Sequence, residues 1–100
     1  MKVLEVNESN FEKEVLTGKV LVDFNATWCG PCRMLKPIIE EFSDNTNIKV
    51  CACDVDQAEN IARNYNIYSI PCLILFNNGE VVKRSVGLIS LDELKNFVGE

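Results

Sequence analysis

Val20-Leu21-Val22-Asp23-Phe24-Asn25-Ala26-Thr27-Trp28-Cys29-Gly30-Pro31-Cys32 is the stretch that decides the fold of this chain. Its first five residues are apolar except for Asp23, the composition of a strand covered on both faces of a sheet. Its end opens a helix, because Pro31 suits the first helical position and Leu35, Ile38, Ile39 and Phe42 follow at helical spacing. Two thiols separated by two residues, placed where a strand gives way to a helix, close into a disulfide and reopen with little backbone movement. The pair reads as a reversible two-electron switch and the chain as a redox enzyme.

Working outward, the pattern alternates between strand and helix throughout. Leu4 to Val6 reads as a short strand, and Ser9 with Glu12 has the spacing of a capping box, opening a helix that Gly18 closes. Ile48 to Val55 is a second buried strand, and Ala58, Ile61, Ala62 and Tyr65 mark a shorter helix. Leu73 to Phe76 and Val81 to Ser85 flank Asn77-Asn78-Gly79-Glu80, a hairpin turn signal. Ser90 with Glu93 caps a last helix that turns Leu91, Leu94, Phe97 and Val98 inward. The order βαβαβαββα makes the early strands parallel and the last two antiparallel. The expected architecture is α/β: a central mixed five-stranded sheet flanked by four helices on both faces. Ligand and reaction sites of such sheets lie at a switch point beyond the C-terminal ends of parallel strands, which is where the cysteine pair falls.

The bulk composition narrows the function. One hundred residues, 47% of them hydrophobic, suffice for one core and leave no room for a second, so residues 1–100 are expected to form a single domain. A net charge of -5 argues against nucleic acid or an anionic membrane as partner, and no run approaches the length of a membrane span. The acidic N-terminal segment lacks the apolar run of a signal peptide, and an odd number of cysteines, five, fits a reducing compartment. The expectation is a cytoplasmic monomer. The absence of histidine excludes hydrolases that rely on a histidine base.

Local physics already divides the work of the site. Cys29 stands at the N-terminal end of the long helix, where free backbone N–H groups and the helix dipole favour a thiolate, so it is the expected nucleophile. Cys32, one turn further on, is expected to be less exposed and to resolve the mixed disulfide that Cys29 forms with a target. Gly30 and Pro31 limit bulk over the sulfurs. Asp23 is a carboxylate in an apolar strand, where burial raises its pKa; it is either a hydrogen-bonded structural residue or a proton acceptor for Cys32. Cys51 and Cys53 share one strand face as small buried hydrophobes; completing a zinc site with Cys29 and Cys32 is the lesser alternative, given their C-x-C spacing.

Trp28-Cys29-Gly30-Pro31-Cys32, Asp23 in its strand, Ile70-Pro71 and Val86-Gly87 together resemble the thioredoxin family over the whole chain. The resemblance implies a thioredoxin fold and a thiol-disulfide oxidoreductase that reduces disulfide-containing target proteins through Cys29 and Cys32. Such a protein is re-reduced by thioredoxin reductase and needs no cofactor or metal beyond its own Cys29–Cys32 disulfide. It also implies that Asp23 handles the proton of Cys32, that the Ile70–Pro71 bond is cis, and that Trp28, Gly30, Pro31, Ile70, Pro71, Val86 and Gly87 form an apolar patch for target proteins. Trp28 as plain core is the alternative for that residue.

Four positions depart from the family pattern. Ala52 stands where several bacterial relatives carry a lysine near the aspartate, which predicts a stronger rise in the Asp23 pKa. Cys72 replaces a common threonine, and is either an inert buried thiol or a third participant in exchange. Asn25 and Thr27 remove bulk and charge beside the motif. Two other functions fit the same fold: an oxidase or isomerase, against which the Gly-Pro dipeptide speaks, and a binding or scaffold subunit with incidental redox activity, which would not need Cys29, Cys32, Asp23 and Pro71 together.

Overall fold

The computed structural model describes residues 2–100. The elements follow in the expected order: β1 (Val3–Val6), α1 (Phe11–Val15), β2 (Lys19–Asn25), α2 (Gly30–Asp44), β3 (Lys49–Asp54), α3 (Glu59–Asn64), β4 (Cys72–Asn77), β5 (Glu80–Val86) and α4 (Leu91–Val98). The strands form one sheet in the order β1-β3-β2-β4-β5. β3 pairs in parallel with β1 and β2, while β4 runs antiparallel to β2 and to β5. The expected α/β architecture, a mixed five-stranded sheet with helices on both faces, is the one observed.

Alternation along β2 explains why the sheet is covered on both sides. Val20, Val22 and Phe24 enter one core with Phe11 and Val15 of α1, Ile61 of α3, and Cys51, Cys53, Cys72, Ile74 and Phe76 of the neighbouring strands. Leu21 enters the opposite core with Leu35, Ile39 and Phe42 of α2, Leu94 and Val98 of α4, and Val50, Leu73 and Leu75. β2 is the middle strand, so its residues from Val20 to Phe24 are all buried. Truncating a packed leucine such as Leu35 to alanine costs about 2–5 kcal/mol in sites of this kind.

The first helix departs from expectation. Its N-cap is Asn10, not Ser9, and no side-chain cap bond forms. The Ser9 hydroxyl instead donates to Asn7 Oδ1 (2.6 Å), and Asn10 Oδ1 accepts the Asn7 backbone N–H (2.7 Å). Short polar side chains compete here for the backbone groups that a capping box would use. Gly18 lies beyond the C-cap Leu16 and does not close the helix. Its φ of 75° turns the chain into β2, where its N–H donates to Asn78 Oδ1 (2.8 Å) and its carbonyl accepts from the Asn78 N–H (2.9 Å). That ties the start of β2 to the β4–β5 hairpin, whose Asn78 and Gly79 both have positive φ, as a two-residue type I′ loop requires.

The other boundaries lie within two residues of those read from the sequence. The Ser90–Glu93 capping box at α4 is formed in full. Phe11, Phe24, Tyr65 and Phe76 meet as an aromatic cluster beneath α1 and α3, with the Tyr65 and Phe76 rings edge to face at 5.4 Å.

Candidate active site

Cys29 is the N-cap of α2, in extended backbone conformation, with Pro31 in the first turn behind it. Its Sγ accepts the backbone N–H of Cys32 at 3.2 Å, so an end-of-helix donor points at the sulfur. Cys29 and Cys32 are closed as a disulfide with Cα atoms 5.2 Å apart. The expected difference in exposure is absent: the two residues are 5% and 4% exposed. Their position relative to the helix end distinguishes them, because only Cys29 receives the free N–H.

A small apolar cluster of Ala26, Cys29 and Cys32 lies here, with Val55 and Ile70 packed against it. The Ile70–Pro71 bond is cis, and the Ile70 carbonyl oxygen is 3.9 Å from Cys29 Sγ. The Pro71 carbonyl accepts the N–H of Gly87 (2.8 Å), which holds the Val86-Gly87 turn against the same loop. Around the disulfide, Trp28 is 67% and Val86 58% exposed, and Pro31 is also open to solvent. Gly30, Ile70 and Gly87 are half-buried and Pro71 is buried, so Pro71 supports the surface without contributing much to it. Trp28 is therefore not core. Its indole Nε1–H donates to Asp56 Oδ2 at 2.8 Å, which fixes an otherwise exposed ring.

Asp23 projects from the α2 side of β2, opposite Ala52 on β3 and Leu73 on β4. With Cys32 it lines a cleft of about 390 Å³, to which Glu5, Asn25, Arg33, Lys36, Ala52 and Asp54 also contribute. Asp23 is 4% exposed, and its Oδ1 is buried without a hydrogen-bond partner among the described residues. Burial pushes its pKa up to about 7; a bond from Asn25 pulls the other way, and the charge of Glu5 adds to the rise.

Cys51, Cys53 and Cys72 lie in the α1/α3 core, apart from the cluster that holds Cys29 and Cys32. Burial pushes Cys51 up to about 11 and Cys53 up to about 12, and raises Cys72. Cys72 follows Pro71 in sequence, yet alternation along β4 sends its side chain through the sheet, against Phe24 and away from Asp23. Among the described residues no group of three or more Cys, Asp and Glu side chains is arranged to hold a metal.

Two contacts of the site are not among those read from the sequence. Asn25 follows Asp23 by two positions on one strand, a spacing that places both side chains on one face and could have signalled their contact. Asp56 reaches Trp28 across 28 residues, and no local pattern announces that.

The sequence matches the family model described as Thioredoxin over residues 2–100. It is 46% identical over 103 residues to the thioredoxin of Buchnera aphidicola subsp. Acyrthosiphon pisum (strain APS), covering 99% of this chain and 95% of that one. It is 47% identical over 88 residues to the thioredoxin of Mycobacterium tuberculosis (strain ATCC 25618 / H37Rv), covering 84% of this chain and 76% of the other. Among solved structures, a single-substitution mutant of the thioredoxin from Halobacterium salinarum NRC-1 superimposes with a TM-score of 0.90 at 36% identity, over 97% of this chain and 88% of that one.

Proposed function

The chain belongs to the thioredoxin family and is a thiol-disulfide oxidoreductase, and from that premise we propose the following division of labour among its residues. Residues 1–100 act as one domain, a monomeric cytoplasmic dithiol carrier that reduces disulfides in target proteins and is itself re-reduced by a thioredoxin reductase. The observation that carries this reading is the placing of one reducible disulfide at a helix N-terminus, between a buried carboxyl and a solvent-exposed apolar rim.

The cycle begins with the reduced pair. The Cys29 thiolate attacks one sulfur of the target disulfide; a bond forms between Cys29 Sγ and that sulfur, and the second target sulfur leaves as a thiolate that takes up a proton. Cys32 then gives its proton to the Asp23 carboxylate and attacks Cys29 Sγ, which closes the Cys29–Cys32 disulfide and releases the target sulfur bound to Cys29 as a thiolate that takes up a proton from solvent. Asp23 lines the same cleft as Cys32, and the cleft is roomy enough for a water to relay the proton. A carboxyl titrating near neutrality suits both directions of the transfer. The reductase returns two electrons, and Asp23 returns the proton to Cys32. The chemistry resides in the sulfurs themselves, with no cofactor.

Target proteins dock on Trp28, Gly30, Pro31, Ile70, Val86 and Gly87, with Pro71 beneath. The Ile70 carbonyl beside Cys29 is offered to the backbone of a bound peptide, in the manner of strand addition. The experiment is reduction of a disulfide-containing model protein with a chemical electron source, using the wild type, Cys29→Ser and Cys32→Ser. Both variants lose turnover, and Cys32→Ser accumulates a mixed disulfide through Cys29. Turnover retained in either variant, or a mixed disulfide through Cys32, overturns the assignment.

A further inference from the structure

Asn25 stands at the end of β2 and is half-buried, with its side chain lining the same cleft as Asp23. Its Nδ2 donates to the backbone carbonyl of Asp23 (3.1 Å) and to the carboxyl Oδ2 (3.4 Å). The amide thereby bridges main chain and side chain of one residue, and its contact to the carboxyl is at Oδ2. Oδ1 has no hydrogen-bond partner among the described residues. The two oxygens of Asp23 are thus unequal: Oδ2 is engaged by the Asn25 amide, and Oδ1 has no protein donor among the described residues.

Among the described residues no other side-chain donor bonds the Asp23 carboxyl. β1 contributes the Glu5 carboxylate to the cleft, β3 contributes Ala52 and Asp54, and β4 places apolar Leu73 opposite Asp23. α2 contributes Cys32, Arg33, Lys36 and Glu40. The Arg33 guanidinium is turned to the Thr27 carbonyl (3.0 Å), and among the described residues no lysine or arginine forms an ion pair with Asp23. Ala52, in register with Asp23, leaves the space beside the carboxyl open.

We propose that Asn25 is a positioning residue of the redox reaction, engaging Asp23 Oδ2 so that the proton exchanged with Cys32 is carried at Oδ1. The proposal rests on Asp23 acting as the proton acceptor of Cys32. An oxygen that already accepts an N–H bond is the poorer site for a proton, so Oδ1 takes it. The same bond favours the ionised form and opposes the rise that burial imposes. Asn25 therefore does with a neutral amide part of what a cation beside the carboxyl would do.

The test combines a titration with a rate profile on the full chain. The Asp23 carboxyl is followed by carbon NMR in wild type, Asn25→Ala and Asn25→Ser, and release of the target sulfur bound to Cys29 is timed across pH in each. In Asn25→Ala the Asp23 titration moves up by about half a pH unit or more, and the acid limb of the resolving step moves with it, slowing that step about threefold at pH 6. Asn25→Ser keeps a shorter donor and falls between. An Asp23 titration unmoved in Asn25→Ala overturns the proposal. In the wild type, the Asn25 side-chain amide resonances follow the Asp23 titration, and a flat trace overturns it without any variant. If the titration moves but the rate profile does not, and Asp23→Asn keeps the acid limb, the reading of Asp23 as base fails and the proposal with it.

Discussion

The sulfur of Cys29 lies 3.9 Å from the carbonyl oxygen of Ile70, 41 residues further along the chain. Two loops from distant parts of the sequence therefore meet at the sulfur that caps α2. Gly87 completes the arrangement, since its N–H holds the Pro71 carbonyl at 2.8 Å. The disulfide is thus framed by the Cys29, Ile70-Pro71 and Gly87 backbone segments.

The first prediction concerns that third segment. Gly87 has a φ of 102°, and a Cβ placed there would meet nothing within 4 Å. The cost of Gly87→Ala is accordingly backbone strain, about 1–2 kcal/mol, with no clash. Urea denaturation should show that loss, while the KM for a protein disulfide rises more than that for a small aromatic disulfide. A variant as stable as the wild type would show that the turn relaxes freely.

Trp28 yields the second. Its indole is exposed and held by Asp56, so Asp56→Ala frees the ring without opening the core. Stability should change by less than about 1 kcal/mol, because both partners are solvated. The fluorescence of the single tryptophan should change, and the KM for protein disulfides should rise several-fold. Unchanged fluorescence would mean that Asp56 does not set the ring.

A third follows from the three thiols of the α1/α3 core. Cys51, Cys53 and Cys72 are buried and have raised pKa values, so after reduction at pH 8 an alkylating reagent should label Cys29 and Cys32 alone. Mass mapping after mild oxidation should likewise find Cys72 unpaired. A Cys72 disulfide would place that residue in the exchange chemistry after all.

The fourth is a pH dependence. Asp23 binds its proton near pH 7 in the folded protein and near 3.8 in the unfolded chain, so between these values the folded state holds more protons and stability falls as pH rises. The span of about three units corresponds to about 4 kcal/mol lost by pH 8. Asp23→Asn removes the penalty. It should be more stable than wild type by about 2 to 4 kcal/mol at pH 8 and no more stable at pH 4, as read from denaturation midpoints. A gain that is the same at both pH values would assign the effect to packing.

Much of this is legible in the sequence because it is local. Val20–Phe24, the cysteine pair and the α2 periodicity announce themselves within a few residues, and the Asn78-Gly79 turn demands the positive φ that it shows. The α1 start differs from its sequence pattern because Asn7, Ser9 and Asn10 bond one another, and propensity does not decide which side chain wins. The contacts of Asp56 with Trp28 and of Gly18 with Asn78 come from tertiary register, which no window of sequence contains. Cys72 is the intermediate case: its side of the sheet follows from alternation once Leu73 is known to oppose Asp23.

The last prediction uses the same register. Ala52 pairs with Asp23 across β2 and β3, lines the cleft beside it and is half-buried, so a longer side chain there runs along the cleft toward the carboxyl. Ala52→Lys brings an ammonium to a carboxyl that has no cationic partner among the described residues. The charged form of Asp23 gains, its pKa falls, and the acid limb of the resolving step moves to lower pH. Stability at pH 8 should rise by about 1 kcal/mol or more, since the ionised carboxyl is no longer alone. Ala52→Met has similar length without charge and separates the two causes: it fills the cleft, adds desolvation and should move the titration upward. If both variants move it the same way, space and not charge controls Asp23. If lysine lowers it and methionine raises it, the absence of a charge at Ala52, and not the space there, sets where Asp23 titrates.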